Sequence, residues 1–101
     1  MGSQISISTP FLKGISHSDV TIGTTKTLIL AAPTEVYVKR IVVIVQNKSS
    51  TANVQLIGNA TDTTGLLISP LSSITLDNYN GSLYALSSAA GTIVHIATSS
   101  V

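Results

Sequence analysis

The sequence predicts an all-β domain, an antiparallel sandwich or jelly roll of about eight short strands behind an N-terminal arm. Three observations lead there. No segment sustains a helical apolar period; apolar residues alternate with Ser, Thr, Asn and Gln over strand-length stretches. The stretch Arg40-Ile-Val-Val-Ile-Val-Gln-Asn47 carries five β-branched residues in a row, Ile41 to Val45, and reads as a strand buried on both faces. Gly, Pro and Asn interrupt the apolar text at short spacing throughout, as turns do. A barrel is the remaining all-β alternative.

Residues 1–24 differ from the rest. Ile5 and Ile7 alternate with Ser6 and Ser8 as in one short strand, which Pro10 stops. Phe11 to Thr25 is mixed, with room for a short strand at Val20 to Ile22. The division expected is an arm over 1–24 and a sandwich over 25–101. Two readings of the arm stand side by side: it pairs with a neighbouring subunit, or it folds back on its own domain.

From Lys26 the text is regular. Thr27 to Ala31 is a strand and Ala32-Pro33-Thr34 a turn. Val36 to Gln46 is one long strand or two collinear ones. Val36, Val38, Val42 and Ile44 share one face; Tyr37, Ile41, Val43 and Val45 share the other. After the loop Asn47 to Thr51, Ala52, Val54 and Leu56 alternate with polar residues as a half-buried strand. Gly58 to Gly65 is a polar loop, and Leu66 to Ile68 a short strand stopped by Ser69-Pro70. Ile74 and Leu76 mark the next strand, and Asp77-Asn-Tyr-Asn-Gly81 is a turn whose Asn and Gly tolerate positive φ. Leu83 to Ser87 and Thr92 to Thr98 flank Ala89-Ala90-Gly91 and read as a terminal hairpin. In the last strand Val94 and Ile96 form the core face, which puts Ile93, His95 and Ala97 outside.

Only 9% of the residues are charged, against about 25% in ordinary soluble chains. A surface so weakly charged resists association poorly, which points to a homo-oligomer whose surfaces cover one another. The net charge is +1, and Lys13, Lys26, Lys39, Arg40 and Lys48 are spread along the chain, so nucleic acid is not an expected partner. With no cysteine, disulfides and thiolate metal sites are excluded within this sequence. No apolar run approaches the ~20 residues of a spanning helix, and no membrane partner is expected.

The chemistry-bearing residues are few. His17-Ser-Asp19 is a local pair with no further ligand beside it in sequence, and His95 stands alone near the C-terminus, so no metal site is expected. The acids Asp19, Glu35, Asp62 and Asp77 all fall in expected turns or loops, where Asp bonds backbone amides. No Gly-x-Ser-x-Gly elbow or phosphate-cradling glycine spacing occurs. The triplets beginning at Asn47, Asn59 and Asn80 match the glycosylation sequon, as chance provides in so Ser- and Thr-rich a chain. Of the aromatics, Tyr79 at its turn tip is the one expected to be exposed. No enzyme activity, cofactor or small-molecule substrate follows from these residues.

Taken in order, several blocks form a pattern: Arg40-Ile-Val-Val-Ile-Val-Gln-Asn47, Asn53-Val-Gln-Leu-Ile-Gly58, Gly65-Leu-Leu-Ile-Ser-Pro70, Ser73-Ile-Thr-Leu76, Leu83-Tyr-Ala85 and Val94-His-Ile96. This order resembles small β-sandwich structural proteins of tailed bacteriophages, over about three quarters of the chain. The resemblance implies a non-enzymatic virion protein: a capsid decoration (cement) or minor head protein that stabilises the shell, or a tail or fibre module binding a receptor or glycan. Its implied partners are the major capsid protein, other virion proteins and its own copies. The N-terminal arm departs from the pattern and leaves the place in the virion open. The contact residues expected are Ile5, Ile7, Phe11 and Leu12 in the arm, with core packing the other reading of Phe11 and Leu12, and Tyr79 in a loop.

Overall fold

The computed structural model describes residues 14–35 and 39–100. Among them are eight strands and no helix: β1 (Ser16–Ile22), β2 (Thr27–Leu30), β3 (Arg40–Asn47), β4 (Val54–Ile57), β5 (Leu66–Ile68), β6 (Ser73–Asp77), β7 (Leu83–Ser87) and β8 (Thr92–Ser100). They form two four-stranded sheets, β1-β8-β3-β6 and β2-β7-β4-β5, with every pair antiparallel.

The pairing is nested. The first strand pairs with the last, the second with the seventh, the third with the sixth and the fourth with the fifth. This is the winding of a jelly roll: one long hairpin folded over itself into two facing sheets. The expected all-β sandwich is therefore the observed architecture. The core lies between the sheets. Val43, Val45, Val94 and Ile96 face inward from one, and Val54, Leu56, Ile68, Leu83 and Ala85 from the other. Each buried Val, Leu or Ile contributes roughly 1.5–3 kcal/mol, so these alternating positions supply the main driving force.

A buried polar residue locks one end of the core. Asn47, the last residue of β3, is fully buried. Its amide nitrogen donates to Ala52 O at 2.7 Å and Ile68 O at 3.1 Å, while its side-chain oxygen accepts from Ser49 N–H at 3.0 Å. One side chain thus ties the loop after β3 to the end of β5. Burial also removes Asn47 from consideration as a glycan acceptor.

Several expectations are corrected. The stretch Ile41 to Val45 is not buried on both faces: Val43 and Val45 are sealed in the core, while Ile44 is 36% exposed. Among the described residues, nothing covers the outer face of its sheet. The alternation also shifts at the start of β3. A bulge sets Arg40 opposite Ser100 and Val42 opposite Ser99, so Arg40 rather than Ile41 takes the buried position. The expected terminal hairpin does not form, because β7 and β8 lie in different sheets. Their connection instead crosses the end of the sandwich, braced by the contact of Ser87 Oγ with Thr92 Oγ1 at 2.7 Å and by Thr92 Oγ1–H donating to Ala89 O at 2.8 Å. Apart from these corrections, Ser16 to Ile22, which contains the expected short strand at Val20 to Ile22, is β1, paired residue for residue with β8 and with Val20 and Ile22 packed at the core. The expected strand at Ile5 to Ser8 lies outside the described residues.

Candidate functional site

The outward surface of the sheet β1-β8-β3-β6 divides into an apolar part and a titratable part. Ile15, Val42, Ile44 and Ala97 line a small, wholly apolar hollow near the start of β1. Ile15 is 64% exposed there. The register places His17 opposite Ala97, and Ala97 opposite Ile44, so this row borders the polar part.

The polar part is built by cross-strand register. Asp19 on β1 lies directly opposite His95 on β8, which lies opposite Gln46 on β3. The carboxylate Oδ1 of Asp19 is 2.6 Å from His95 Nδ1, and its Oδ2 is 3.4 Å from Lys48 Nζ. On the far side of the ring, His95 Nε2 is 2.9 Å from His17 Nδ1. The result is a chain of four side chains, Lys48–Asp19–His95–His17, across the sheet. The hydrogen bond from His95, with help from Lys48, holds the Asp19 carboxyl below its ordinary value. Sequence reasoning found His17 and Asp19 as a pair but missed His95, which is 76 residues from Asp19. The missing signal was strand register, which a single sequence does not carry. It also put Asp19 in a loop, whereas the residue sits on β1.

The donor set is poor for a metal. Among the described residues no group of three or more His, Cys, Asp or Glu is arranged to hold an ion. With ring centroids 5.1 Å apart and the two nitrogens at 2.9 Å, the imidazoles meet edge to edge. Their lone-pair directions face one another instead of converging on a third point. That is hydrogen-bond geometry.

Other apolar side chains also face outward. Leu66 and Leu67 on the edge strand β5 are 55% and 62% exposed, and Leu71 after it is 64% exposed. Leu71 is also held at φ 62°, the left-handed region that a leucine enters only at a cost of about 1–2 kcal/mol. On the outer face of the second sheet, Leu28 lies opposite Tyr84, and Lys26 covers the Tyr84 ring. Lys26 Nζ also donates to the carbonyls of Ala60 and Asp62, pinning the long loop before β5.

Of the contact residues read from sequence, Ile5, Ile7, Phe11 and Leu12 lie outside the described residues. Tyr79 is corrected in its exposure: it is half-buried against the core. Asn78 at φ 56° turns the chain, the ring folds back over the turn, and the hydroxyl donates to Ser82 O at 2.6 Å. Gly81 leaves the space, since a Cβ there would stand 2.7 Å from the hydroxyl oxygen. In the sequence Arg40 is one of five dispersed cations. It is buried, with Nη2 donating to Gly81 O at 2.8 Å and Ala31 O at 3.1 Å. Burial pushes its guanidinium pKa down.

No protein-family model and no curated protein matches the chain. A solved chain from Bacillus endospore appendages, described as a family of disulfide-linked pili, superimposes with a TM-score of 0.53 at 15% identity. The superposition covers 97% of this chain and 96% of that chain. At this identity the likeness is one of fold.

Proposed function

We propose that the chain is a non-enzymatic structural subunit that assembles with its own copies into a larger surface structure. The observation that carries this reading is the outer face of the β1-β8-β3-β6 sheet. Its central strand β3 has the composition of a strand covered on both sides, yet Ile44 and the nearby Ile15 stand open, as does Ile93 beyond the Asp19–His95–Gln46 row. A second subunit laid on this face removes that apolar area from water, at about 25 cal/mol per Å² before association costs. The exposed Leu66, Leu67 and Leu71 supply a second contact on the opposite sheet. Many copies then turn weak contacts into avidity.

Two finer readings follow. In the first, the subunit is a virion component, a capsid decoration or minor head protein seated on major capsid subunits; the block order of the sequence supports it. In the second, it is the repeating unit of an appendage; the fold shared with the pilus chain over nearly the whole length of both supports that. Disulfide linkage does not carry over, because these 101 residues hold no cysteine. Contacts between copies are then non-covalent and open to denaturant without reductant. Ile5, Ile7, Phe11 and Leu12 reach from before Gly14 to a neighbour in either reading.

The test is solution mass by light scattering together with electron microscopy, on the full chain and on a version starting at Gly14, which keeps β1. Filaments or rings formed by the full chain alone support the appendage reading. A monomer that binds preformed capsid shells supports the virion reading. Monomers of both forms that bind neither one another nor shells would sink the structural proposal.

A further inference from the structure

The polar chain on the outer sheet sits on an edge strand with little core contact. Ser16, His17, Ser18 and Asp19 of β1 are all exposed; only Val20 and Ile22 reach the core. As an edge strand, β1 pairs with β8 alone. Its first half therefore rests on the backbone ladder, on the Ser99 hydroxyl donating to Gly14 O at 2.6 Å, and on the side chains of His17 and Asp19.

The proton positions follow from the carboxylate. Asp19 accepts from His95 Nδ1–H, which places the proton of a neutral His95 ring on Nδ1 and leaves Nε2 as an acceptor. His17 Nδ1–H then donates to it. One added proton still leaves one lone pair between the rings, so both bonds stay in place. A second takes that last lone pair. It sets two N–H groups face to face at hydrogen-bond distance and two cationic rings with centroids 5.1 Å apart. The bridge between the rings cannot survive that state. Asp19 stays ionised in mild acid and keeps His95, so His17 is the ring that leaves.

We propose that the His17–His95 bridge is a proton-released latch on the sheet edge. Closed at neutral pH, it clamps the first half of β1 to β8. Open in mild acid, it frees Ser16 to Ser18 and bares the edge of β8 from Ile96 to Thr98. Among the described residues the groups facing the bridge are few. β1 brings His17 and Asp19, and β8 brings His95. From the β3 side come the uncharged Gln46 and, just beyond the strand, Lys48, which reaches Asp19.

The test is amide hydrogen exchange, corrected for intrinsic rates, on the full chain at about pH 7.5 and about pH 5, either side of the ordinary histidine range. Nitrogen-15 shifts of both imidazoles are recorded on the same samples. Protection of the Ser16 to Asp19 amides should fall by about tenfold or more in acid, while Val43 and Ala85 keep theirs. His17→Gln should show the lower protection at both pH values, and His95→Gln should do the same. The proposal is overturned if both rings are protonated at the lower pH with β1 protection unchanged. It is equally overturned if His17→Gln shows the same acid-induced drop as the parent.

Discussion

Asn47 and Asp19 show what single residues do here. Asn47 ties three chain segments at one end of the core. Asn47→Ala strands two buried carbonyls, Ala52 O and Ile68 O, and is expected to cost about 2–4 kcal/mol, read as a lower urea midpoint at unchanged slope. Asn47→Asp should be at least as damaging, since it sets a carboxylate against those same carbonyls. Asp19 acts through charge. Its folded pKa lies below the ordinary 3.8, mainly through the bond from His95. A carboxyl depressed in this way stabilises the fold above its unfolded value, and that contribution is lost as pH falls through the lower folded value. The acid limb of a stability–pH curve should therefore flatten in Asp19→Asn in the region below about pH 4. At Gly65 a Cβ would meet the backbone oxygen of Leu56 at 2.0 Å, so Gly65→Ala should displace β5 and unfold at lower denaturant than the parent.

At the scale of elements, β5 and the loop after it carry a contradiction that assembly resolves. Leu66, Leu67 and Leu71 are exposed, and Leu71 is strained as well. Leu71→Asn relieves the strain, because Asn tolerates positive φ, and should raise the stability of the isolated subunit by about 0.5–1 kcal/mol. If the leucine is kept for contact, the same variant should assemble more weakly, as light scattering over a concentration series will show. The strands themselves were legible because alternation survives in a single sequence: Val54 and Leu56, Ile74 and Leu76, Val94 and Ile96 all mark the inward side. What was not legible is what depends on partners distant in sequence. β7 and β8 read as a hairpin because a short turn separates them, but nothing local states that they belong to opposite sheets. The bulge that turns Arg40 inward is likewise set by β8. The polar chain was invisible for the same reason, since register alone puts His95 beside Asp19.

For the whole molecule, nested pairing means that the two strands furthest apart in sequence, β1 and β8, close the same sheet. Such a topology folds slowly, because distant segments must meet before they stabilise one another. On the assembly reading, Ile44→Thr should leave the subunit folded and lower its mass in solution, since Ile44 points outward while its neighbours Val43 and Val45 fill the core. The nesting has one more consequence. Ser16 lies opposite Thr98, and Ser99 bonds Gly14, so the chain enters and leaves the body at one corner. A short linker from Ser100 to Gly14 would therefore close the polypeptide into a ring with little distortion. Cutting that ring in the exposed loop between Gly58 and Gly65 would yield a circular permutant whose ends emerge at the opposite edge strand. Cargo fused there would stand clear of the corner at which Gly14 and Ser99 meet.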